Sequence, residues 1–221
     1  ALAGTLAKAH RVFEQTKAKA IKGGLPKLYS WHAPEVHCFS KGKARTPFEF
    51  GAKVGIAVTA KGNLIVGARA YAGAPFDGHT LNEQIEQATI LMQDTGEKPS
   101  TAVVDLGYRG VDRDNPDLTI IHRGKAKSLG GPERKLIKRR NAVEPVIGHL
   151  KADHRMDRCH LKGEIGDRLH AVLCAAGYNL RWLLRAIARK GLGAFFCLLP
   201  PELIRAIRRH LAESFLRISP A

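Results

Sequence analysis

The sequence has no C-x-x-C pair, no internal repeat, no low-complexity tract and no uninterrupted apolar run of membrane-spanning length. Its four cysteines, Cys38, Cys159, Cys174 and Cys197, are widely spread in apolar or basic surroundings, which reads as reduced thiols of a cytosolic protein. The most apolar region, "LHAVLCAAGYNLRWLLRAIARKGLGAFFCLLP", is interrupted by Arg181, Arg185, Arg189 and Lys190 before about 20 apolar residues accumulate. It predicts a packed helix, and no membrane partner is expected. The N-terminus, "ALAGTLAKAHRVFEQ", has neither an initiator Met nor the apolar core of a signal peptide, and reads as the middle of a longer protein.

Acid is also scarce. Twenty Asp and Glu stand against thirty-six Lys and Arg, for a formal net charge of +16 and a pI near 10.1. Such a surface favours polyanions over neutral metabolites, and nucleic acid first, although membrane-surface and ribosomal proteins share the bias and charge specifies no chemistry. Hydrophobic residues at 44% and charged residues at 25% are ordinary globular values. At 221 residues, one catalytic-size domain with a helical appendage is expected.

Residues 5–22 have helical periodicity ended by Gly23-Gly24, and predict a peripheral helix. "FEFGAKVGIAVT" and "NLIVGARAYAG" alternate with period two around "AKGN", which predicts a hairpin with strands near 48–59 and 63–72. After the turn chemistry of "GAPFDGHT", Thr80 is placed to open an amphipathic helix with Leu81, Ile85, Ala88 and Met92 on one face, ended by Gly96. "STAVVDLGYRG" reads as a fully buried strand closing on Asp105, and "DLTIIHRG" as another short strand. A helix is expected over 132–155 with Pro132 at its start, another over 168–190 capped by Asp167 and stopped by Gly191, and a last one over 202–214. Hairpin, helix, strand, strand and long helix make an α/β fold with a mixed sheet. The expected organisation is a peripheral helix over 1–24, a partial catalytic domain over 25–160 and a C-terminal helical extension over 161–221.

Two carboxylates stand out. Asp105 closes a strand, where ligands of open α/β sheets bind, though strand ends also use Asp to make turns. Glu144 sits among cations in "KRRNAVEPVIGHLK". On a continuous helix Leu136, Val143, Ile147 and Leu150 form the buried stripe, while Arg140, Glu144 and Lys151 share a neighbouring one. A solvated face with an Arg-to-Glu i,i+4 pair accounts for the same spacing. Pro145 removes a helical donor and disfavours α geometry at Glu144, so either the helix kinks there or a new segment starts at Pro145. An Asp at a strand end and a Glu on a later helix make half of a divalent-cation site of the kind that uses carboxylates, phosphate oxygens and water.

Four segments, "LYSWHAPEVHCFSKGKARTPFEFGAKV", "GAPFDGHTL", "VVDLGYRG" and "RRNAVEPVIGHLKADHRM", resemble transposases of bacterial insertion sequences, specifically the insertion-sequence-five family, over roughly residues 25–185. The resemblance implies an RNase-H-like fold with an Asp, Asp, Glu triad, Mg2+ or Mn2+ as cofactor, and nicking at element ends followed by strand transfer. The implied partner is double-stranded DNA, at transposon ends and target, with homo-oligomers possible in such systems and a cytoplasmic, nucleoid-associated location. Within the superfamily pattern Y-x2-R-x3-E-x6-K, Arg140, Glu144 and Lys151 meet the last three positions, while Ile137 replaces the Tyr. By the same resemblance Asp105 is the second catalytic acid and metal ligand, Glu144 the third, and Arg140 and Lys151 position DNA phosphate. The first Asp and its strand belong upstream of "YSWHAPEV", which implies a truncated chain that is inactive alone unless Glu35, Glu49 or Asp77 substitutes as ligand, Asp77 being better suited to start the following helix. A non-catalytic DNA-binding or inhibitory remnant and a structure-selective nuclease of the same fold are the alternatives.

Residues 118–140 hold eight Lys or Arg and one acid, Glu133. Arg123, Lys125, Lys127, Lys138 and Arg139 are expected to contact DNA backbone there, with a solvated surface loop as the plainer account. No recognition-helix signature is present. His149, His154, Cys159 and His160 fit no closed zinc pattern, and "VDRDNPDL" lacks the Gly and terminal Glu of a calcium loop and reads as a polar turn.

Overall fold

Period-two alternation on both sides of Gly62-Asn63 folds the chain back on itself. In the computed structural model, which describes residues 2–17, 27–40, 42, 44–108, 110–191, 202 and 205, strands β3 (Lys53–Val58) and β4 (Ile65–Tyr71) pair antiparallel. Gly62 and Asn63 turn the chain with φ of 82° and 56°, the left-handed region these two residue types tolerate best. The register shifts beside Val58, where Val58 faces Ile65 and Ala57 faces Gly67. Val66 is therefore the extra residue of a bulge, and the bulge brings Ile65 onto the same face as Ala68.

The expected strand over 48–59 is divided. Gly51, at φ 154°, separates β3 from β2 (Phe48–Gly51), which pairs instead with β1 (His37–Ser40). Helix α1 (Leu2–Lys17) buries none of its residues and is tied to the following segment by Gln15, whose amide group exchanges two hydrogen bonds with the backbone of Leu28. Residues 18–22 of the expected helix lie outside the described residues.

The two faces of the β3–β4 hairpin take different partners. Gly55 and Gly67 share one face, where a Cβ at either would come within 3.0 and 2.7 Å of the Gln84 side chain. Missing side chains there let helix α2 (Leu81–Met92) lie close against the hairpin. Gln87 of α2 accepts from Ala68 N–H at 2.9 Å and donates to Ala68 C=O at 3.3 Å, satisfying backbone groups that β3 leaves unpaired. Thr80 does not cap α2 as expected. The helix is entered through a 3-10 turn, Asp77–Thr80, and the Thr80 hydroxyl donates to Asp77 C=O at 2.7 Å. The helix end is as expected, with Gly96 left-handed at φ 71°.

Strands β5 (Thr101–Val103) and β6 (Thr119–Ile121) pair in parallel. The expectation of a fully buried β5 is corrected: Thr101 is exposed and its neighbours are half-buried, while Ile120 and Ile121 of β6 are 3% and 1% exposed. Leu81, Val111 and Ile120 form a core between α2 and this pair. The described strands thus form three two-stranded sheets in a mixed α/β arrangement, and not one continuous mixed sheet.

The helix expected over 132–155 is two helices, α3 (Gly131–Arg140) and α4 (Val143–His154). The interruption falls at Asn141–Ala142, upstream of the position Pro145 suggested. Pro145 is the third residue of α4, within the first turn, where a backbone N–H has no helical acceptor and its loss is harmless. Burial on α4 is centred beside the expected stripe. Val146 and Leu150 are 1% and 0% exposed, whereas Val143 and Ile147 are only half-buried. Val146 and Leu150 pack with Ile65, Ala68, Cys174 and Ala175, filling the second face of the hairpin.

Cys174 and Ala175 come from α5 (Gly163–Lys190), which starts five residues before the expected position. Asp167 therefore lies inside the helix and not at its cap, and burial raises its carboxyl above the usual range. The C-terminal stop is as expected, Gly191 at φ 81° donating to Ile187 C=O at 2.8 Å. The chain divides into two units, residues 1–178 and 179–221, and the strands and both apolar cores belong to the first. The helix expected over 202–214 lies almost entirely outside the described residues.

Candidate active site

Asp105 sits two residues beyond β5. Val104 N–H still donates to Ile121 C=O at 2.9 Å, so the parallel pairing runs to the residue before the acid. The backbone then turns: Leu106 N–H donates to Asp105 Oδ1 at 2.7 Å, and Tyr108 N–H to Asp105 C=O at 3.1 Å. One carboxylate oxygen forms this turn, and the other is left to face outward. The turn-forming reading of Asp105 is thus met through one oxygen, and the turn leaves the other oxygen free of that role.

That second oxygen, Oδ2, accepts from the Arg140 guanidinium at 2.9 Å. The same terminal nitrogen of Arg140 lies 3.7 Å from Glu144 Oε1. Two acids from separate elements, one after β5 and one in the first turn of α4, thus converge on one cation. Asn141 and Ala142 keep right-handed helical dihedrals through the break, which preserves the i,i+4 reach from Arg140 to Glu144. The side chains are 30% exposed for Arg140, 56% for Asp105 and 65% for Glu144. Water screens ion pairs at that exposure to about 0–1 kcal/mol each, so the arrangement is easily exchanged for another cation.

Neighbouring arginines divide the work of holding it. Arg139 Nε donates to Ala60 C=O at 2.8 Å and its Nη2 to Asn63 Oδ1 at 3.2 Å, fixing the end of α3 on the β3–β4 turn. One step of about 100° around the helix then presents Arg140 toward Asp105. A pocket of about 110 Å³ opens here, lined among others by Asp105, His122, Arg123, Ile137, Arg140 and Asn141. Ile137, the residue standing where the superfamily pattern has Tyr, faces this pocket. His122 and Asn141 escaped the sequence reading. His122 directly follows β6, one residue nearer its strand than Asp105 is to β5, and a position just past a strand end was the available signal. It is 6% exposed, and its Nδ1 accepts from Gly124 N–H at 3.1 Å.

The other cations expected to meet DNA are distributed differently. Arg123 is exposed at the pocket rim, and Lys127, Lys138 and Lys151 are exposed. Lys125 is half-buried and donates to Ile120 C=O at 3.0 Å. Lys151 is on α4 two turns beyond Glu144, on the same side of the helix.

Several of the other acids and metal-ligand candidates are engaged elsewhere. Asp77 begins its 3-10 turn and pairs with the Lys53 ammonium. Glu35 Oε1 accepts from Gly163 N–H at 2.9 Å. His149 meets Asp153 at 3.0 Å, the His154 ring packs edge-on against Tyr178, and the Cys159 thiol donates to Leu161 C=O. "VDRDNPDL" forms a polar turn in which Asn115 donates to Val111 C=O at 3.0 Å. Among the described residues no three His, Cys, Asp or Glu side chains gather as a metal cluster, and no helix is long and apolar enough to cross a membrane.

The donor set of Asp105 and Glu144 suits one hard divalent ion. Both supply carboxylate oxygen, a positive group already stands against both, and Mg2+ takes only one or two carboxylates with phosphate oxygens and water completing its shell. A pair of metals needs more ligands than these two acids provide.

No curated protein and no solved structure matches the chain. Residues 115–184, which contain β6, α3, α4 and the first part of α5 with Arg140, Glu144 and Lys151, match the family model described as a transposase DDE domain, and to that family this stretch is similar.

Proposed function

We propose that the chain is the C-terminal part of the catalytic region of an insertion-sequence transposase of the insertion-sequence-five type, with an RNase-H-like domain acting on double-stranded DNA. The observation that carries this reading is the convergence of Asp105 and Glu144 on one guanidinium, inside a chain of net charge +16 whose residues 115–184 resemble the transposase DDE domain.

Asp105 Oδ2 and a Glu144 carboxylate oxygen would hold a Mg2+ or Mn2+ ion. Such an ion polarises a phosphodiester and activates the attacking oxygen. The protein's part is to place that phosphate. Arg123 and Arg140 at the pocket, with Lys138 and Lys151 on the adjoining helices, draw a DNA strand across the two acids by backbone contacts that are independent of base sequence. Asp105 is held in place by its own Oδ1 bond to Leu106 N–H, so its outward oxygen is pre-oriented without reorganisation.

Two carboxylates are one fewer than a DDE triad. A third acid, on a strand beside β5, is required for the paired-metal chemistry of strand transfer, and we assign the 221-residue chain alone no strand-transfer activity. The alternatives are a basic DNA-binding or inhibitory remnant and a structure-selective nuclease on the same fold. A magnesium-dependent nicking assay on the open reading frame that contains these codons separates them. The transposase reading expects nicking confined to element ends and abolished by Asp105→Ala or Glu144→Ala. Nicking unchanged by both substitutions would remove these residues from the active site, and cleavage governed by DNA structure would favour the nuclease.

A further inference from the structure

We infer that Arg140 is a built-in counter-cation for the carboxylate pair, which must leave Asp105 before a divalent ion can bind and which DNA phosphate draws away. The inference rests on the reading of Asp105 and Glu144 as the metal ligands, and adds a coupling between metal and DNA that this reading does not contain.

The geometry carries the argument. A metal ion shared by the two acids needs Asp105 Oδ2, because Oδ1 is committed to Leu106 N–H at 2.7 Å. Oδ2 is the atom that Arg140 occupies at 2.9 Å, and the same nitrogen stands within 3.7 Å of Glu144 Oε1. The guanidinium is thus where the shared ion would be. Leaving it there while a divalent ion enters would put three positive charges on one side of the pair, so the two cations compete. Arg140 can move without disturbing the fold: among the described residues its side chain makes no hydrogen bond or ion pair besides those to the two acids, and the end of α3 is held on the hairpin turn by Arg139. A planar guanidinium released from carboxylate is suited to phosphate, which it meets with the same fork of donors. DNA backbone at the pocket therefore gives Arg140 an alternative partner, and what relieves the competition at Asp105 tightens metal binding. By reciprocity, metal binding tightens DNA binding by the same factor.

The test is Mn2+ affinity of the 221-residue chain, read by electron paramagnetic resonance of free Mn2+, with and without a short duplex. Arg140→Gln is expected to bind Mn2+ about threefold to tenfold more tightly than wild type in the absence of DNA, the size of effect expected for removing exposed ion pairs. Arg140→Lys, which keeps the charge but loses the fork, is expected to fall between them. Adding duplex should tighten Mn2+ binding in wild type and do so less in Arg140→Gln. Equal or weaker Mn2+ binding by Arg140→Gln, or an equal gain from DNA in both proteins, overturns the inference. Asp105→Asn distinguishes the two levels: if it binds Mn2+ as well as wild type, the ligand assignment itself fails, whatever Arg140 does.

Discussion

Arg140 Nη2 donates to Asp105 Oδ2 at 2.9 Å, joining the last turn of α3 to the residue just past the β5 strand pairing. Because both side chains are substantially exposed, this contact contributes little to stability, and its interest is chemical. Asp105→Asn and Glu144→Gln are expected to change unfolding free energy by less than about 1 kcal/mol. In the active open reading frame each should lower metal-dependent nicking on the order of a hundredfold or more. Parallel urea melts and nicking rates check the contrast.

Leu150 is fully buried at the meeting of α4, α5 and the β3–β4 hairpin. Leu150→Ala should cost about 2–5 kcal/mol, the range for emptying a buried Leu site. Since α4 also carries Glu144, the same change should lower the thermal midpoint well before it alters metal affinity at low temperature. Denaturant unfolding and Mn2+ titration of the variant measure both.

Tyr71, 6% exposed, shares its hydroxyl proton between Thr80 C=O at 3.0 Å and Gln84 Oε1 at 2.9 Å. Tyr71→Phe should cost about 1–2 kcal/mol near pH 8, because two buried acceptors lose their donor. Burial pushes the Tyr71 phenol up from 10.0 to about 12. The folded state therefore holds this proton more tightly than the unfolded chain does. The resulting stability is complete below pH 10 and declines as pH rises toward about 12. The gap between wild type and Tyr71→Phe should narrow over that window, as urea titrations at a series of alkaline pH values would show.

Four exposed cations, Arg123, Lys127, Lys138 and Lys151, are expected to act as backbone contacts. Replacing each with Ala should weaken DNA binding about equally for all sequences and reduce the slope of log affinity against log salt by about 1. Arg139→Ala should behave differently, since that side chain holds the hairpin turn, and should lower the melting temperature as well as affinity. Fluorescence anisotropy across a salt series, paired with melting curves, separates the two behaviours.

Elements governed by local chemistry were legible in the sequence: the hairpin around Gly62-Asn63, the amphipathic face of α2, and the glycine stops at Gly96 and Gly191. Three features depended on tertiary context and were not. The β1–β2 pair arises where Gly51 divides one apparent strand, and the alternation of residues 48–59 runs through that point unmarked. The break between α3 and α4 falls at Asn141–Ala142, residues that can continue a helix, and Pro145 drew attention to the wrong position because a first-turn proline is compatible with helix. Val146 was missed as a core residue because the buried face of α4 is centred on Val146 and Leu150, beside the expected Val143 and Ile147. For the candidate site, Asp105 stood out at a strand end and Glu144 among cations, while the roles expected of Glu144 and Arg140 came from the family resemblance. The joint hold of Arg140 on both acids, the burial of His122 and the anchoring role of Arg139 come from contacts between segments distant in sequence, which no local pattern encodes.

Anomalous diffraction from crystals of the chain grown with Mn2+ tests the pairing of Asp105 and Glu144 most directly. The account predicts a peak bound by one oxygen of each carboxylate at metal–ligand distance, about 2.0–2.3 Å, with Arg140 moved off Asp105 Oδ2. A peak elsewhere, or no peak at these acids while Mn2+ binds in solution, would contradict it.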